Sequence, residues 1–140
     1  MFSRRILSGT SRHVNVKRMI TTVKSMEVQE FATIIKEPNF HKTYQVIDVR
    51  EPDELAIANC GPEIINLPLS ASNIWSSDIK LGKYEILDGN KPTLCLCHHG
   101  RRSMMMAQFL IEQADYENVY NIEGGIDKYS MECDATVPRY

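Results

Sequence analysis

The stretch from Cys97 to Ser103, CHHGRRS, combines a thiol, a glycine and two arginines between an apolar run and a helical pattern. A loop that enters a helix directs several backbone N–H groups inward, and the helix dipole adds positive potential there. Gly100 permits a tight turn, and Arg101 and Arg102 add two permanent positive charges. Such surroundings lower the pKa of a free cysteine from about 8.5 to roughly 3.5–7.5, so they favour the thiolate. The sequence therefore predicts that Cys97 is a nucleophile in a loop that also holds anions or a charged sulfur intermediate.

The alternative for Cys97 is a packing role, which is the commoner role of a cysteine that follows a strand. The adjacent glycine, the paired arginines and the helix start favour the reactive interpretation. Cys95 is predicted to be a core residue because the strand pattern runs through it. Cys60 and Cys133 lack charged helpers close in sequence, so we interpret them as bystanders. All four are expected to be reduced thiols rather than a disulfide framework.

Four potential metal ligands also lie in this region, namely Cys95, Cys97, His98 and His99. Their tight consecutive spacing and the lack of a second ligand pair argue against a zinc-type site. The run Met104–Met106 is more typical of helix packing than of a soft-metal site. The sequence therefore predicts no metal and no organic cofactor.

Charged residues are distributed unevenly along the 140-residue chain. Residues 1–26 contain six arginines and lysines and no acidic residue, so the rest of the chain carries all 18 acidic residues. An acid-free start with several arginines and serines is typical of an organellar presequence. We therefore predict a presequence over residues 1–24 and a folded domain over residues 25–140. Mitochondrial import is the first expectation and a plastid the second. The remaining alternative is a disordered basic tail that carries no targeting signal, in which case the protein would stay in the cytoplasm.

The same composition argues against two classes of partner. The acidic body offers no basic face that would extend a basic N-terminal arm along a nucleic acid. No apolar run approaches the length that a bilayer requires, so we expect no transmembrane span. Hydrophobic residues make up 43% of the chain, the usual balance of a globular domain with a real core.

Hydrophobic periodicity predicts that strands and helices alternate. The strand candidates are YQVIDV (residues 44–49), EIINLPL (63–69), PTLCLC (92–97) and NVYNI (118–122). Helical patterns cover residues 28–35, EPDELAIA (51–58), residues 103–114 and the segment after the glycine pair at 124–125, while residues 70–88 are either a helix or an irregular covering segment. This alternation predicts one α/β domain with a parallel sheet. Functional groups of such sheets lie at the carboxyl ends of strands, which is where Cys97 falls.

Four motifs in this order resemble the rhodanese, or sulfurtransferase, domain family. They are DVREPDE (residues 48–54), INLPLS (65–70), CHHGRRS (97–103) and NIEGGIDKYS (121–130). The resemblance runs from about Ser25 to the end of the sequence, and the ending DATVPRY makes it most similar to single-domain members of cyanobacterial and plant type. It implies a single rhodanese-like α/β domain with a five-stranded parallel sheet flanked by helices.

The resemblance also implies a reaction. Cys97 would take a sulfane sulfur from a small donor, such as thiosulfate or a persulfide, and pass it to cyanide, a thiol or a protein partner. The backbone amides from His98 to Ser103 would cradle the Cys97 persulfide. Arg102 would stabilise the loop and its anion, and Arg101 could meet the sulfonate end of a donor.

The resemblance assigns supporting roles to other residues. Asp48 and Arg50 match the Asp-Val-Arg signature of the family, and we expect them to support the loop region through charge-assisted hydrogen bonds. For His98 and His99 we favour substrate contact or solvent exposure over a role as general base, because a thiolate needs no base. One departure is NCGPE (residues 59–63), where the family often has His-Ile-Pro-Gly-Ala. It affects the local turn rather than the active loop.

Two other functions remain open from the sequence. Phosphatases and arsenate reductases of the related fold place five residues between the catalytic Cys and Arg, whereas four separate Cys97 from Arg102. Cys95 and Arg101 do have five residues between them, but Cys95 would have to leave the strand pattern to act. The second alternative is a non-enzymatic adaptor or a sulfur carrier fed by a protein partner, which would keep the same loop.

Overall fold

The computed structural model describes residues 22–140, so most of the predicted presequence lies outside the described residues. The strands are β1 (Lys24–Met26), β2 (Gln45–Asp48), β3 (Ile65–Asn66), β4 (Thr93–Leu96) and β5 (Val119–Ile122). The helices are α1 (Val28–Lys36), α2 (Pro52–Ile57), α3 (Ser72–Lys80), α4 (Arg101–Ala114) and α5 (Gly125–Glu132), with short 3-10 turns at Phe40–Lys42 and Leu69–Ala71. The strands form one sheet in the order β1-β5-β4-β2-β3, and every neighbouring pair is parallel. The predicted α/β fold with a five-stranded parallel sheet is confirmed.

Helices cover both faces of the sheet, so the domain has a core on each side. Residues of α1 and α5 pack on one face together with Leu94 and Leu96 of β4. Residues of α3 and α4 pack on the other face, together with Cys95 and Cys97. This alternation follows from the two-residue period of a strand. It places both cysteines on the face that α4 covers.

The helix boundaries follow from local sequence. The α1 helix buries Val28 and Phe31 at the spacing that the sequence predicted. The α2 helix begins at Pro52, and the side chains of Glu51 and Glu54 form a capping box at its start. Among residues 22–140, no helix is both long enough and apolar enough to cross a bilayer.

The elements differ from the sequence prediction at three places. The strand predicted over residues 63–69 is reduced to Ile65–Asn66, because Pro68 cannot donate to a ladder and a 3-10 turn follows. The α4 helix begins at Arg101, two residues before the predicted start. The residue pattern did not indicate β1, a three-residue strand with only Met26 buried. Because β1 begins at Lys24, the fold includes the last residue of the segment predicted as presequence.

Candidate functional site

The candidate site lies at the carboxyl edge of the sheet, between the end of β4 and the start of α4. β4 is the central strand, paired with β2 on one side and β5 on the other. Residues Cys97–Gly100 connect the two elements and are called the Cys97 loop below. The loop ends at Gly100 in the left-handed conformation, with φ of 101°, which favours glycine. The chain therefore enters α4 through a tight turn, with the N–H of the N-cap residue Gly100 directed at the Cys97 side chain.

The thiol of Cys97 has two polar neighbours from its own loop and helix. The backbone N–H of Gly100 donates to Cys97 Sγ at 3.0 Å, and Ser103 Oγ lies 3.3 Å from the same sulfur. A donor placed in this way can stabilise negative charge that develops on the sulfur during a reaction. Cys97 is only 1% exposed, so a donor reaches the sulfur only when neighbouring groups move.

Cys95 shows how a packing cysteine of the same strand face differs from Cys97. It lies within β4, as predicted, and it is completely buried among apolar residues. No hydrogen bond joins its sulfur to another residue of the described chain. Burial raises the pKa of the Cys95 thiol far above its ordinary value, and the nearby Cys97 adds to that effect. Because both cysteines are buried, the feature that distinguishes them is the pair of hydrogen-bond donors beside the sulfur of Cys97.

Asn121 joins the start of α4 to the Cys97 loop, and the sequence analysis did not identify it as a site residue. Its Oδ1 lies 2.5 Å from Ser103 Oγ, and its Nδ2 donates to the carbonyl of Gly100 at 3.0 Å. A serine hydroxyl has one proton, so Ser103 donates either to Asn121 or to the sulfur of Cys97. The available signal was a polar residue near the end of an apolar strand, inside the motif NIEGG.

The N-terminus of α5 also contacts the Cys97 loop and holds its backbone in place. The backbone N–H groups of Ile126 and Asp127 donate to the carbonyls of Cys97 and His98, at 2.9 and 3.1 Å. A Cβ at Gly125 would lie 2.3 Å from the carbonyl oxygen of His98 and 2.5 Å from that of Cys97. Gly125 is therefore required for this contact between two backbone segments, a role that the sequence analysis did not assign.

The two arginines that follow the loop differ in their surroundings. Arg102 forms a bidentate pair with Glu54 of α2, with Nη1–Oε2 and Nη2–Oε1 distances of 2.7 and 3.0 Å. The charge of Arg102 is therefore balanced by a carboxylate, which the residue types in the loop motif did not indicate. Arg101 is exposed and forms no ion pair with another residue of the range 22–140. Arg101 is thus the cation of this segment that remains open to a ligand.

Asp48 and Arg50 form a buried ion pair at the end of β2. Arg50 Nη2 donates to Asp48 Oδ2 at 2.7 Å and to the carbonyl of Ala58 at 2.8 Å, while Nη1 donates to the hydroxyl of Tyr140 at 2.9 Å. The Tyr140 hydroxyl in turn donates to Glu54 Oε1 at 2.9 Å. The Asp48–Arg50 pair therefore reaches the loop region indirectly, through Tyr140 and Glu54.

The two histidines of the loop differ in exposure, since His98 is partly buried and His99 is exposed. The ring of His98 stacks on that of Tyr140, with centroids 3.9 Å apart and planes within 5°, and it also lies 3.9 Å from the ring of His99. Burial, followed by the neighbouring His99, lowers the pKa of His98, which favours neutral imidazole. His99 is exposed, and its Nδ1 lies 4.0 Å from Asp127 Oδ2. Tyr140 is a site residue that the sequence analysis did not identify, although the motif containing it was noted.

The described residues contain no group of three or more metal-ligating side chains placed to hold an ion. All four cysteines are free thiols. Because Cys95 lies inside β4 and points into the core, the structure does not support an oxyanion loop running from Cys95 to Arg101. The arrangement that remains is a thiol that accepts from the N–H of Gly100 and lies beside Ser103, with four residues between it and Arg102.

The sequence is similar to known proteins over most of the described residues. Residues 27–132 match the family model described as "Rhodanese-like domain". Over 118 residues the chain is 39% identical to the chloroplastic "Rhodanese-like/PpiC domain-containing protein 12" of Arabidopsis thaliana, covering 84% of this chain and 38% of that protein. It is 30% identical over 115 residues to the "Adenylyltransferase and sulfurtransferase UBA4" of Debaryomyces hansenii, covering 82% of this chain and 25% of that protein. The chain thus spans well under half the length of these two relatives.

A solved structure supports the fold at the scale of one domain. The rhodanese-related protein of Thermoplasma volcanium superposes with a TM-score of 0.60 at 30% sequence identity. The match covers 79% of this chain and 93% of that one, so the similarity extends over nearly all of the solved chain.

Proposed function

This chain belongs to the rhodanese-like domain family, and from that membership and the geometry of the Cys97 loop we propose that it is a sulfurtransferase. The proposed reaction moves a sulfane sulfur from a small donor, such as thiosulfate, through a persulfide of Cys97 to a nucleophilic acceptor. The observation that carries the proposal is the 3.0 Å hydrogen bond from the N–H of Gly100 to Cys97 Sγ, at the junction of β4 and α4.

The first half of the reaction loads the cysteine. The Cys97 thiolate attacks the outer sulfur of thiosulfate, a sulfur–sulfur bond forms, and the bond to the sulfonate sulfur breaks. The electron pair leaves with sulfite, so no external oxidant or reductant is needed. The persulfide that remains carries its charge one atom beyond Cys97 Sγ, at the N-terminus of α4, where the helix dipole stabilises negative charge.

The second half of the reaction unloads the cysteine. Cyanide or a thiolate attacks the outer sulfur of the persulfide, and the Cys97 thiolate is the leaving group. Stabilisation of that thiolate by Gly100 and the α4 N-terminus helps this step as well as the attack. Ser103, which can turn its hydroxyl between Asn121 and the sulfur, adds a donor when charge is present.

A sulfur carrier fed by a protein partner is the second candidate. It is favoured by the relatives, in which the matched segment covers only 38% and 25% of longer proteins. One of these is named both an adenylyltransferase and a sulfurtransferase, so that protein combines this type of domain with another activity. A carrier would use the same Cys97 persulfide but would load slowly from free thiosulfate.

A steady-state assay separates these functions and the oxyanion alternative. With thiosulfate and cyanide, we expect thiocyanate formation that saturates in both substrates and gives the parallel double-reciprocal lines of a ping-pong mechanism. Hydrolysis of a phosphate ester or reduction of arsenate, measured beside it, should remain at background. Phosphatase or arsenate reductase activity without thiocyanate formation would contradict the proposal, whereas thiocyanate formed only when a persulfidated protein is supplied would identify a carrier.

We also propose that residues 1–24 direct the protein to an organelle. The mitochondrion is the first choice from composition, and the chloroplastic Arabidopsis thaliana relative supports the plastid alternative. Residues 1–24 fused to a fluorescent protein should direct it to one of these organelles, and a fusion with the six basic residues changed to glutamine should stay diffuse. Diffuse fluorescence from both fusions would contradict the assignment.

A further inference from the structure

Most charges around the Cys97 loop are balanced in pairs. The pairs are Asp48–Arg50, Glu54–Arg102 and Asp127–Arg139, with shortest N–O distances of 2.7, 2.7 and 2.9 Å. Arg101, the other arginine at the start of α4, has no carboxylate partner in the described range. The start of α4, next to the loop, therefore presents one arginine whose charge no carboxylate of the described residues balances.

Glu54 is held in place by several donors. Its carboxylate accepts both N–H groups of Arg102, the hydroxyl of Tyr140 and the backbone N–H of Glu51 at 3.0 Å. These contacts, chiefly the hydrogen bond from Arg102, lower the pKa of Glu54 to about 2. Glu54 thus stays ionised at neutral pH, and its charge opposes that of Arg102 close to the loop.

We propose that Glu54 determines donor specificity by cancelling the charge of Arg102, which disfavours the doubly charged thiosulfate relative to an organic persulfide. The inference rests on the proposed function, because it names the donor class of that same site. An unpaired arginine attracts a doubly charged donor more strongly than a singly charged one. The Glu54–Arg102 ion pair removes most of that difference in attraction. The single open arginine, Arg101, is exposed and screened by solvent, so it compensates only weakly.

The donor reaction with a persulfide needs no reagent beyond the donor. The Cys97 thiolate attacks the outer sulfur of R–S–SH, a sulfur–sulfur bond forms to Cys97, and the original sulfur–sulfur bond breaks. The electron pair leaves as the thiolate R–S⁻, and the proton remains on the new persulfide. The donor and its leaving group together bring at most one charge to the loop.

Single-turnover loading of Cys97 tests the proposal. Second-order rate constants are measured by intact mass for thiosulfate and for hydroxyethyl persulfide, a donor with an uncharged organic group. The ratio of the thiosulfate to the persulfide constant should rise about fivefold in Glu54→Gln and fall by a similar factor in Arg102→Gln. The double variant restores the charge balance, so its ratio should return to within about twofold of the unmodified protein.

The controls separate charge from structure. Asp53→Asn removes a carboxylate from the same helix start, but an exposed one that forms no ion pair with another residue of the range 22–140, and it should leave the ratio unchanged. Unchanged ratios in both Glu54→Gln and Arg102→Gln would overturn the inference, and either variant alone still tests it if the other does not fold. Loading of the unmodified protein by neither donor would instead overturn the proposed function.

Discussion

Cys97→Ser should lower the rate of sulfur transfer by roughly 10³-fold or more while the fold stays intact. A serine hydroxyl ionises far less readily than a thiol, and it cannot store a transferable sulfur as a persulfide. The substitution is nearly isosteric, and the serine Oγ would offer an acceptor to the Gly100 N–H, whose nitrogen lies 3.0 Å from the sulfur of Cys97. The loss should therefore be chemical rather than structural.

The measurement is thiocyanate formation by purified Cys97→Ser protein, with its thermal unfolding recorded beside it. Cys60→Ser is the matched control, because Cys60 is a partly buried thiol outside the loop. Burial raises the pKa of Cys60 to about 12, so it is a poor nucleophile at neutral pH. A folded Cys97→Ser protein that retained transfer, or a Cys60→Ser protein that lost it, would refute the assignment of the nucleophile.

Gly125→Ala should both destabilise the domain and impair the loop. Gly125 has φ of +65°, and an added Cβ would lie 2.3 and 2.5 Å from the carbonyl oxygens of His98 and Cys97. Neither contact is tolerable, and both partners are backbone atoms that cannot rotate away. We expect a loss of about 2–4 kcal/mol in the free energy of unfolding, from backbone strain and from displaced hydrogen bonds. We also expect transfer to fall in the fraction that stays folded.

Gly82→Ala isolates the effect of the left-handed conformation. Gly82 has a similar φ of +70°, but an added Cβ there meets nothing within 4 Å. Gly82→Ala should lower the free energy of unfolding by about 1 kcal/mol and leave sulfur transfer per folded molecule unchanged. Urea unfolding measures the first quantity and thiocyanate formation the second. Equal losses of stability in the two variants would show that the α5 contact does not constrain the Cys97 loop.

The parts of this site that could be predicted are those that depend on residues close together in sequence. The apolar run that ends at Cys97, the glycine and the helical pattern place a thiol at a strand-to-helix junction, and the structure has that junction. The alternation of a strand indicates that Cys95 shares the face of Cys97. The parallel sheet follows from alternating elements, since parallel strands need long crossover connections.

The remaining parts depend on contacts between segments far apart in sequence. Glu54 and Arg102 are 48 positions apart, and Tyr140 meets Glu54 across 86 positions. The sequence shows two adjacent arginines at a helix N-terminus, but no local pattern shows that a carboxylate pairs with one of them. β1 was not predicted for a related reason. Its three residues form a strand because they pair with β5, which is distant in sequence.

The measurement that tests the central claim most directly is the intact mass of the protein after incubation with thiosulfate, with Cys97→Ser treated in parallel. The account predicts a gain of one sulfur atom in the unmodified protein, no gain in the variant, and removal of the added sulfur by cyanide. A folded, reduced protein that gains no sulfur from thiosulfate or from a persulfide, or a Cys97→Ser protein that gains it equally, would contradict the account.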